Sequence, residues 1–133
     1  MGFPYKDPKQ AQEFVLSFVE RLRDVEEIYR GWSALHMVIG VHIKQPEVNF
    51  WVDTREGDLV VQGEQPGEEG ASLTLTAELF HRLYTGQENA TLAFVKGKIK
   101  PKGKVSGIMQ LTRTMPSAAK VYREYLSEKG LKP

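Results

Sequence analysis

The 133-residue chain contains no cysteine and has a net charge of only +1. Without cysteine it can form no disulfide, thiolate nucleophile or zinc–cysteine site, and this composition fits a reducing compartment. A nearly neutral chain does not attract polyanions as a whole, so any basic surface that binds them must be local.

Long apolar runs are also missing. No stretch reaches the roughly 18 residues that cross a bilayer, the N-terminus has no signal-peptide core, and residues 129–133 match no targeting signal. We therefore expect a cytoplasmic protein. Its length, without repeats or low-complexity segments, predicts a single domain over residues 1–133.

The sequence contains no recognisable arrangement of residues that is typical of a catalytic centre. Two of its three histidines, His36 and His42, would lie roughly 20 Å apart on one predicted strand, too far to bind one metal ion. Asp53 and Asp58 flank a predicted hairpin, where turn geometry alone favours aspartate. No serine stands in a nucleophile elbow, and no glycine-rich phosphate motif occurs. We expect no catalytic residue, no metal and no cofactor, and hence a protein that is not an enzyme.

Hydrophobic periodicity predicts an α+β domain. A helix is predicted from Asp7 to Gly31, because Phe14, Phe18 and Leu22 recur at helical spacing after an Asp-Pro start. Alternating apolar residues then predict strands, and the helical period returns after them. The predicted strands are Trp32–Ile43, Val48–Asp53, Leu59–Gly63, Ser72–Thr76 and Lys96–Lys104, and the later helices are Thr76–Gly86, Asn89–Val95, Ser106–Arg113 and Ser117–Glu128.

This order of elements predicts a mostly antiparallel sheet of about five strands with four or five helices on one face. A domain of this size with so many helices on one sheet face can enclose an apolar cavity instead of a solid core. We therefore expect an apolar cavity between the sheet and the helices.

Lysine occupies every second position from Lys96 to Lys104, which is the period of a strand with all five side chains on one face. Two interpretations remain open. The lysines, together with Pro101, can protect a sheet edge against pairing with other chains. Alternatively, a face centred on Lys98, Lys100 and Lys102 makes transient contact with anionic membrane. Nucleic acid is not expected as a partner, since the chain is nearly neutral and lacks arginine–aromatic interleaving.

The segment Asn89–Leu111 resembles the sterol carrier protein type 2 domain, a family of non-specific lipid-transfer proteins. The matching motifs are an Asn-initiated helix ending in Ala93-Phe94, then Gly97-Lys-Ile-Lys100, Lys102-Gly103 and Met109-Gln-Leu111. The strand and helix at Leu73–Phe80 and the aromatic strand at Phe50–Asp53 are similar to the family as well. The resemblance covers roughly residues 10–115.

Three features depart from the family pattern. Pro101 replaces an apolar strand residue, the helix at Ser117–Glu128 extends past the family's core, and the peroxisomal C-terminal tripeptide of the animal proteins is absent. The first puts the pairing of the lysine strand in doubt, and the second implies that this chain closes its cavity differently.

The resemblance implies uptake and release of a lipid ligand, such as a sterol, fatty acid, acyl-CoA or phospholipid, without covalent chemistry. The alternatives are a subunit or accessory module of a larger enzyme assembly with a reshaped cavity, or an enzyme with an unrecognised site. The family supplies no fixed ligand-contact motif, so cavity residues are predicted from apolarity and position. They are Trp51, Phe80, Leu83, Phe94, Val105, Ile108, Met109 and Met115.

Overall fold

A computed structural model describes residues 2–133, in which six helices accompany one five-stranded sheet. The helices are α1 (Pro8–Leu22), α2 (Glu26–Ser33), α3 (Ala77–Tyr84), α4 (Ala90–Val95), α5 (Val105–Arg113) and α6 (Met115–Glu128). The strands are β1 (Val38–Lys44), β2 (Val48–Asp53), β3 (Val60–Gln62), β4 (Ala71–Thr76) and β5 (Lys100–Gly103). No helix in this part of the chain is both long and apolar enough to cross a membrane.

The first helix begins where the sequence predicts. The Asp7 carboxylate caps α1 by accepting a hydrogen bond from the Gln10 backbone N–H at 3.0 Å, and Pro8 stands in the first turn. The predicted continuation to Gly31 is wrong, because α1 and α2 are separate helices. Between them the N–H groups of residues 23–25 bond to carbonyl oxygens three residues back, a tightened turn that ends α1.

The five strands lie in the order β3-β2-β1-β4-β5. The central strand β1 pairs antiparallel with β2 and parallel with β4, and the two outer pairings are antiparallel. The sheet is therefore mixed but mostly antiparallel, as predicted. Pro101 lies in β5, an edge strand, where a residue without a backbone N–H is tolerated.

The predicted strand from Trp32 to Ile43 is too long at its start. Trp32 belongs to α2, and β1 begins only at Val38. The Trp32 side chain is buried in the helical layer, where its Nε1 donates a hydrogen bond to Thr114 Oγ1 at 2.9 Å. Packing between helices, and not the alternation of apolar residues, therefore decides the conformation at this position.

The predicted strand Lys96–Lys104 is also shorter in the structure. The first two of its lysines lie in the turn after α4, and the last is the N-cap residue of α5. Gly97 and Gly103 adopt positive φ angles of 74° and 80°, which bend the chain out of the extended conformation on both sides of β5. The prediction of five lysines on one strand face is therefore wrong, although all five residues are exposed.

The pleat of the sheet sorts its side chains onto two faces. One set of aligned positions points toward the helices, on what we call the inner face: Ile39, Val41, Ile43, Val48, Phe50, Val52, Ala71, Leu73 and Leu75. Helices α1, α3 and α5 pack on the sheet, and α6 packs on α1 and α3. Helices on one face of the sheet confirm the predicted architecture, with one more helix than expected because α1 and α2 are separate.

Candidate ligand cavity and its entrances

A small apolar cavity of about 50 Å³ lies between the inner face and the helices. Its strand residues are Val41, Phe50, Val52, Leu73 and Leu75, and its helix residues are Val19, Leu22, Trp32, Phe80, Leu83, Tyr84, Phe94, Leu111, Thr112 and Met115, with Ile99 from the turn before β5. The strand residues meet here because positions of one parity share one sheet face. The cavity therefore follows directly from the alternation of the strands.

Two of the few polar groups around the cavity form hydrogen bonds within the protein. The Thr112 hydroxyl donates to the Ile108 carbonyl oxygen at 3.0 Å, and Trp32 Nε1 is bonded to Thr114 Oγ1. Burial raises the pKa of the Tyr84 phenol far above its usual range, so this hydroxyl stays protonated at neutral pH. Such a lining is suited to apolar groups, which gain free energy when they leave water.

Two surface depressions flank α4 and share residues with the cavity. The α4–α5 groove runs between α4, β5 and α5 and has a volume of about 420 Å³. The α4–α6 cleft runs between the loop before α4 and the start of α6 and has a volume of about 490 Å³. Phe94 and Thr112 line both the cavity and the groove, whereas Leu83, Thr112 and Met115 line both the cavity and the cleft. One layer of side chains thus separates the interior from each depression.

Helix α4 is weakly anchored over the cavity. It has six residues, and the Asn89 side chain caps it by accepting a hydrogen bond from the Leu92 N–H at 3.1 Å. Ala93 is its one buried residue, Phe94 is half-buried, and Val95 is 79% exposed. Within residues 2–133, no other element packs extensively against it. So short a helix has little stability of its own, so the position of α4 depends on the few contacts that it makes.

Most of the predicted cavity residues come together around α4, in two groups. Phe80, Leu83, Phe94 and Met115 line the cavity, and Phe94, Val105, Ile108 and Met109 line the α4–α5 groove. Val105 and Met109 are more than half exposed, so they border the mouth of the groove and not the interior.

Trp51 does not line the cavity, contrary to the prediction from the sequence. Its neighbours Phe50 and Val52 occupy the inner face, so alternation places Trp51 on the opposite face of the sheet. There its Nε1 donates to Glu69 Oε2 at 2.7 Å, and its ring meets the His42 ring edge-on. The alternation of residues along β2, with Phe50 and Val52 facing the helices, would have excluded Trp51 from the cavity.

The cavity residues that sequence reasoning missed are mainly strand residues. Val41, Leu73 and Leu75 form the floor of the cavity, and their alternation along β1 and β4 could have identified them. Trp32 could not have been found in this way, since the sequence pattern placed it in a strand.

The lysines near the groove differ in their partners. Lys98 Nζ lies 2.9 Å from Glu88 Oε2, and Arg82 Nε lies 3.0 Å from Glu88 Oε1. The hydrogen bond from Lys98, with a smaller contribution from Arg82, lowers the pKa of Glu88 and keeps it ionised. Lys100 and Lys102 are exposed, and within residues 2–133 they form no ion pair.

The two carboxylates that could be interpreted as an acid–base pair have other partners. Asp53 accepts hydrogen bonds from the Arg55 guanidinium at 3.0 and 2.8 Å, which lower the pKa of Asp53. Asp58 accepts a hydrogen bond from the Tyr29 hydroxyl. Over the described range 2–133, no group of three His, Cys, Asp or Glu is arranged to hold a metal ion.

A helical layer over a mostly antiparallel sheet is the α+β architecture that the sequence predicts. The family profile of the SCP-2 sterol transfer family matches residues 20–116. The chain belongs to this family, which confirms the resemblance at Asn89–Leu111. No curated protein sequence matches the chain significantly.

Solved structures share the fold at low sequence identity. Sterol carrier protein 2 from Yarrowia lipolytica is 19% identical with a TM-score of 0.59, and the match covers 91% of this chain and 97% of that one. Palmitated SCP2L2 from Aedes aegypti is 17% identical with a TM-score of 0.55, covering 74% and 91%. The ubiquinone synthesis protein UbiJ-SCP2 is 18% identical with a TM-score of 0.62, covering 80% and 96%.

Proposed function

We propose that this protein binds a long-chain apolar lipid between its sheet and its helices and transfers it between membranes, without covalent chemistry. The observation that carries this proposal is the apolar cavity, whose lining has no reactive polar pair and is closed by the short helix α4. Membership of a sterol transfer family and the fold shared with a palmitated mosquito protein support it. The cytoplasmic location stays a prediction.

Ligand entry requires the interior to expand. Pockets that enclose a small molecule typically have roughly 300–1,000 Å³, whereas this cavity has about 50 Å³. Displacement of α4 with Phe94 would join the interior to the α4–α5 groove, which supplies the missing volume. Burial of an acyl chain contributes about 0.8 kcal/mol per CH₂, but a bilayer contributes the same. A carrier therefore needs only to approach the affinity of the bilayer, and low specificity is expected.

The test is a titration with a pyrene-labelled long-chain fatty acid. The parent protein should saturate near one ligand per chain. Val41→Phe places an aromatic ring in the cavity and should abolish saturable binding, while circular dichroism shows a folded protein. Val60→Phe is the matched control, because Val60 is an exposed residue of β3 away from the cavity. Equal affinities of the two variants would contradict binding in this cavity.

One observation favours the alternative of an accessory module in an enzyme assembly. The interior is nearly filled, as expected for a domain that uses its surface and not its cavity. The fold shared with a ubiquinone synthesis protein is compatible with such a role. Failure of the parent protein to bind pyrene-labelled fatty acid, a labelled sterol or a labelled phospholipid would select this alternative over the carrier.

A further inference from the structure

The positive charge of this chain is concentrated in one segment. Residues 89–123 contain eight Lys or Arg and no Asp or Glu, whereas the rest of the chain has ten Lys or Arg and seventeen Asp or Glu. The net charge of +1 is therefore the sum of a strongly basic segment and an acidic remainder. The basic segment includes α4, β5 and α5, which together enclose the α4–α5 groove. The groove thus lies in a positive local potential.

The same segment carries most of the exposed large apolar side chains. Leu92, Val95, Val105 and Met109 are 55%, 79%, 68% and 51% exposed, and outside this segment Val60 alone is comparable among the described residues. Val95, Val105 and Met109 line the groove. Exposed apolar side chains gathered in one place and rimmed by charge are typical of an interaction surface.

Three lysines stand directly beside these apolar side chains. Lys96 follows Val95, Lys104 precedes Val105, and Lys102 lines the groove itself. All three are exposed, and in the described chain none is ion-paired, unlike Lys98, which is bound to Glu88. We define the docking patch as the six residues Val95, Lys96, Lys102, Lys104, Val105 and Met109.

We propose that the docking patch binds the surface of an anionic phospholipid bilayer. This inference rests on the proposed function, because a lipid carrier must exchange its ligand with membranes. Lysine ammonium groups pair with lipid phosphates and carboxylates, while the apolar side chains enter the boundary between headgroups and acyl chains. Long, flexible lysines around exposed apolar tips suit a fluid anionic interface, which presents charge without fixed positions.

The position of the docking patch connects the bilayer with the interior. Val95 and Phe94 are neighbours on α4, and Phe94 separates the groove from the cavity. A bilayer held on the patch therefore faces the entrance that Phe94 closes. A lipid could then pass between the acyl region and the cavity without crossing bulk water.

The first experiment measures sedimentation of the full chain with vesicles of phosphatidylcholine, with or without phosphatidylserine. A lysine near an anionic surface strengthens binding about fivefold. The triple variant Lys96→Gln, Lys102→Gln and Lys104→Gln should therefore bind the anionic vesicles about 100-fold more weakly. The matched control is the triple variant Lys6→Gln, Lys9→Gln and Lys44→Gln, which removes the same charge from exposed positions elsewhere and should bind as the parent does.

The apolar contribution is tested by Val95→Gln with Val105→Gln, and Val60→Gln is the control. The double variant should bind anionic vesicles more weakly at every salt concentration, because insertion of apolar groups is not screened. Binding of the parent should weaken as salt shortens the Debye length from about 30 Å at 0.01 M to about 8 Å at 0.15 M. Equal losses in the two lysine triples, or no effect of the double variant, would overturn the docking patch.

Failure of this inference can be distinguished from failure of the proposed function. Titration of the parent with pyrene-labelled fatty acid in the absence of vesicles reports on the cavity alone. A parent that binds the fatty acid but not the anionic vesicles would refute the docking patch and leave the carrier intact. A parent that binds the vesicles through the patch but takes up no fatty acid would refute the carrier and leave the docking surface.

Discussion

His81 should make the protein lose stability in mild acid. Its side chain is fully buried on α3, Nδ1 lies 2.8 Å from the Tyr122 hydroxyl oxygen, and Nε2 has no hydrogen-bond partner in the described structure. Burial lowers the pKa of His81 from its ordinary value of 6.5, and the nearby Glu78 carboxylate opposes this only in part. The folded protein therefore keeps His81 neutral at a pH where the unfolded chain already binds a proton.

The sign and magnitude of this pH dependence follow from the difference in the number of protons bound by the folded and unfolded states. Above pH 6.5 both states leave His81 neutral, so its contribution does not vary with pH. Below this value the unfolded state gains a proton that the folded state does not, and the free energy of unfolding falls by up to about 1.4 kcal/mol per pH unit. The loss grows with falling pH and levels off once the pH falls through the lowered pKa of His81 in the folded protein. For a protein of this size, each 1 kcal/mol of lost unfolding free energy lowers Tm by roughly 4 °C.

Urea denaturation of the parent and of His81→Gln at several pH values between about 7 and 5 isolates this contribution, because the carboxylates affect both proteins alike. His36→Gln is the control, since His36 is an exposed residue. An NMR titration of the His81 ring in the folded parent serves if His81→Gln does not fold. Parallel pH profiles of parent and variant, or a ring that titrates near 6.5 in the folded state, would refute the reasoning.

Two further predictions concern the cavity residues chosen from the sequence. Ile108 is 4% exposed and its neighbour Met109 is 51% exposed, so Ile108→Asp should cost about 3–5 kcal/mol of unfolding free energy and Met109→Asp less than about 1 kcal/mol. Similar urea midpoints for the two variants would contradict this placement. Trp51→Phe should cost about 2 kcal/mol through the lost hydrogen bond to Glu69, yet leave the affinity for pyrene-labelled fatty acid unchanged. A weaker affinity of the Trp51→Phe variant for the fatty acid would indicate that Trp51 belongs to the binding site.

The sequence predicted the fold class, the mostly antiparallel sheet and the helical layer, because these follow from the period of apolar residues. It predicted the start of α1 from the chemistry of Asp7 and Pro8, which is local. The break between α1 and α2 was not predictable in this way. Val25 and Ile28 continue the helical spacing. In the structure, however, α1 packs on the sheet whereas α2 packs on α5 and α6, and such contacts between distant segments are not visible in the local sequence.

The candidate site was predicted less completely, and for a related reason. Apolarity identifies residues that are removed from water but does not say on which side of a sheet they lie. Trp51 is buried, but on the face of the sheet opposite the inner face. Val41 and Leu75 line the cavity, but in the sequence they look like ordinary core residues. The lysine pattern was specific enough to indicate the family, but Gly97 and Gly103 decide how it folds.

If the proposed function holds, the small interior and the docking patch together would explain how the protein both holds a lipid and releases it. Opening a nearly filled cavity costs free energy, and this cost would lower the affinity for a lipid toward that of the bilayer, where exchange is reversible. If the bilayer stabilises the displaced position of α4, it lowers the barrier for entry and for exit alike. The equilibrium distribution of the lipid then depends on its relative affinities for the protein and the membrane, while the rate of exchange depends on contact with the membrane. Phe94 and Val95 are adjacent on α4 and link the cavity to the membrane-binding surface, because Phe94 lines the cavity and Val95 is exposed in the docking patch.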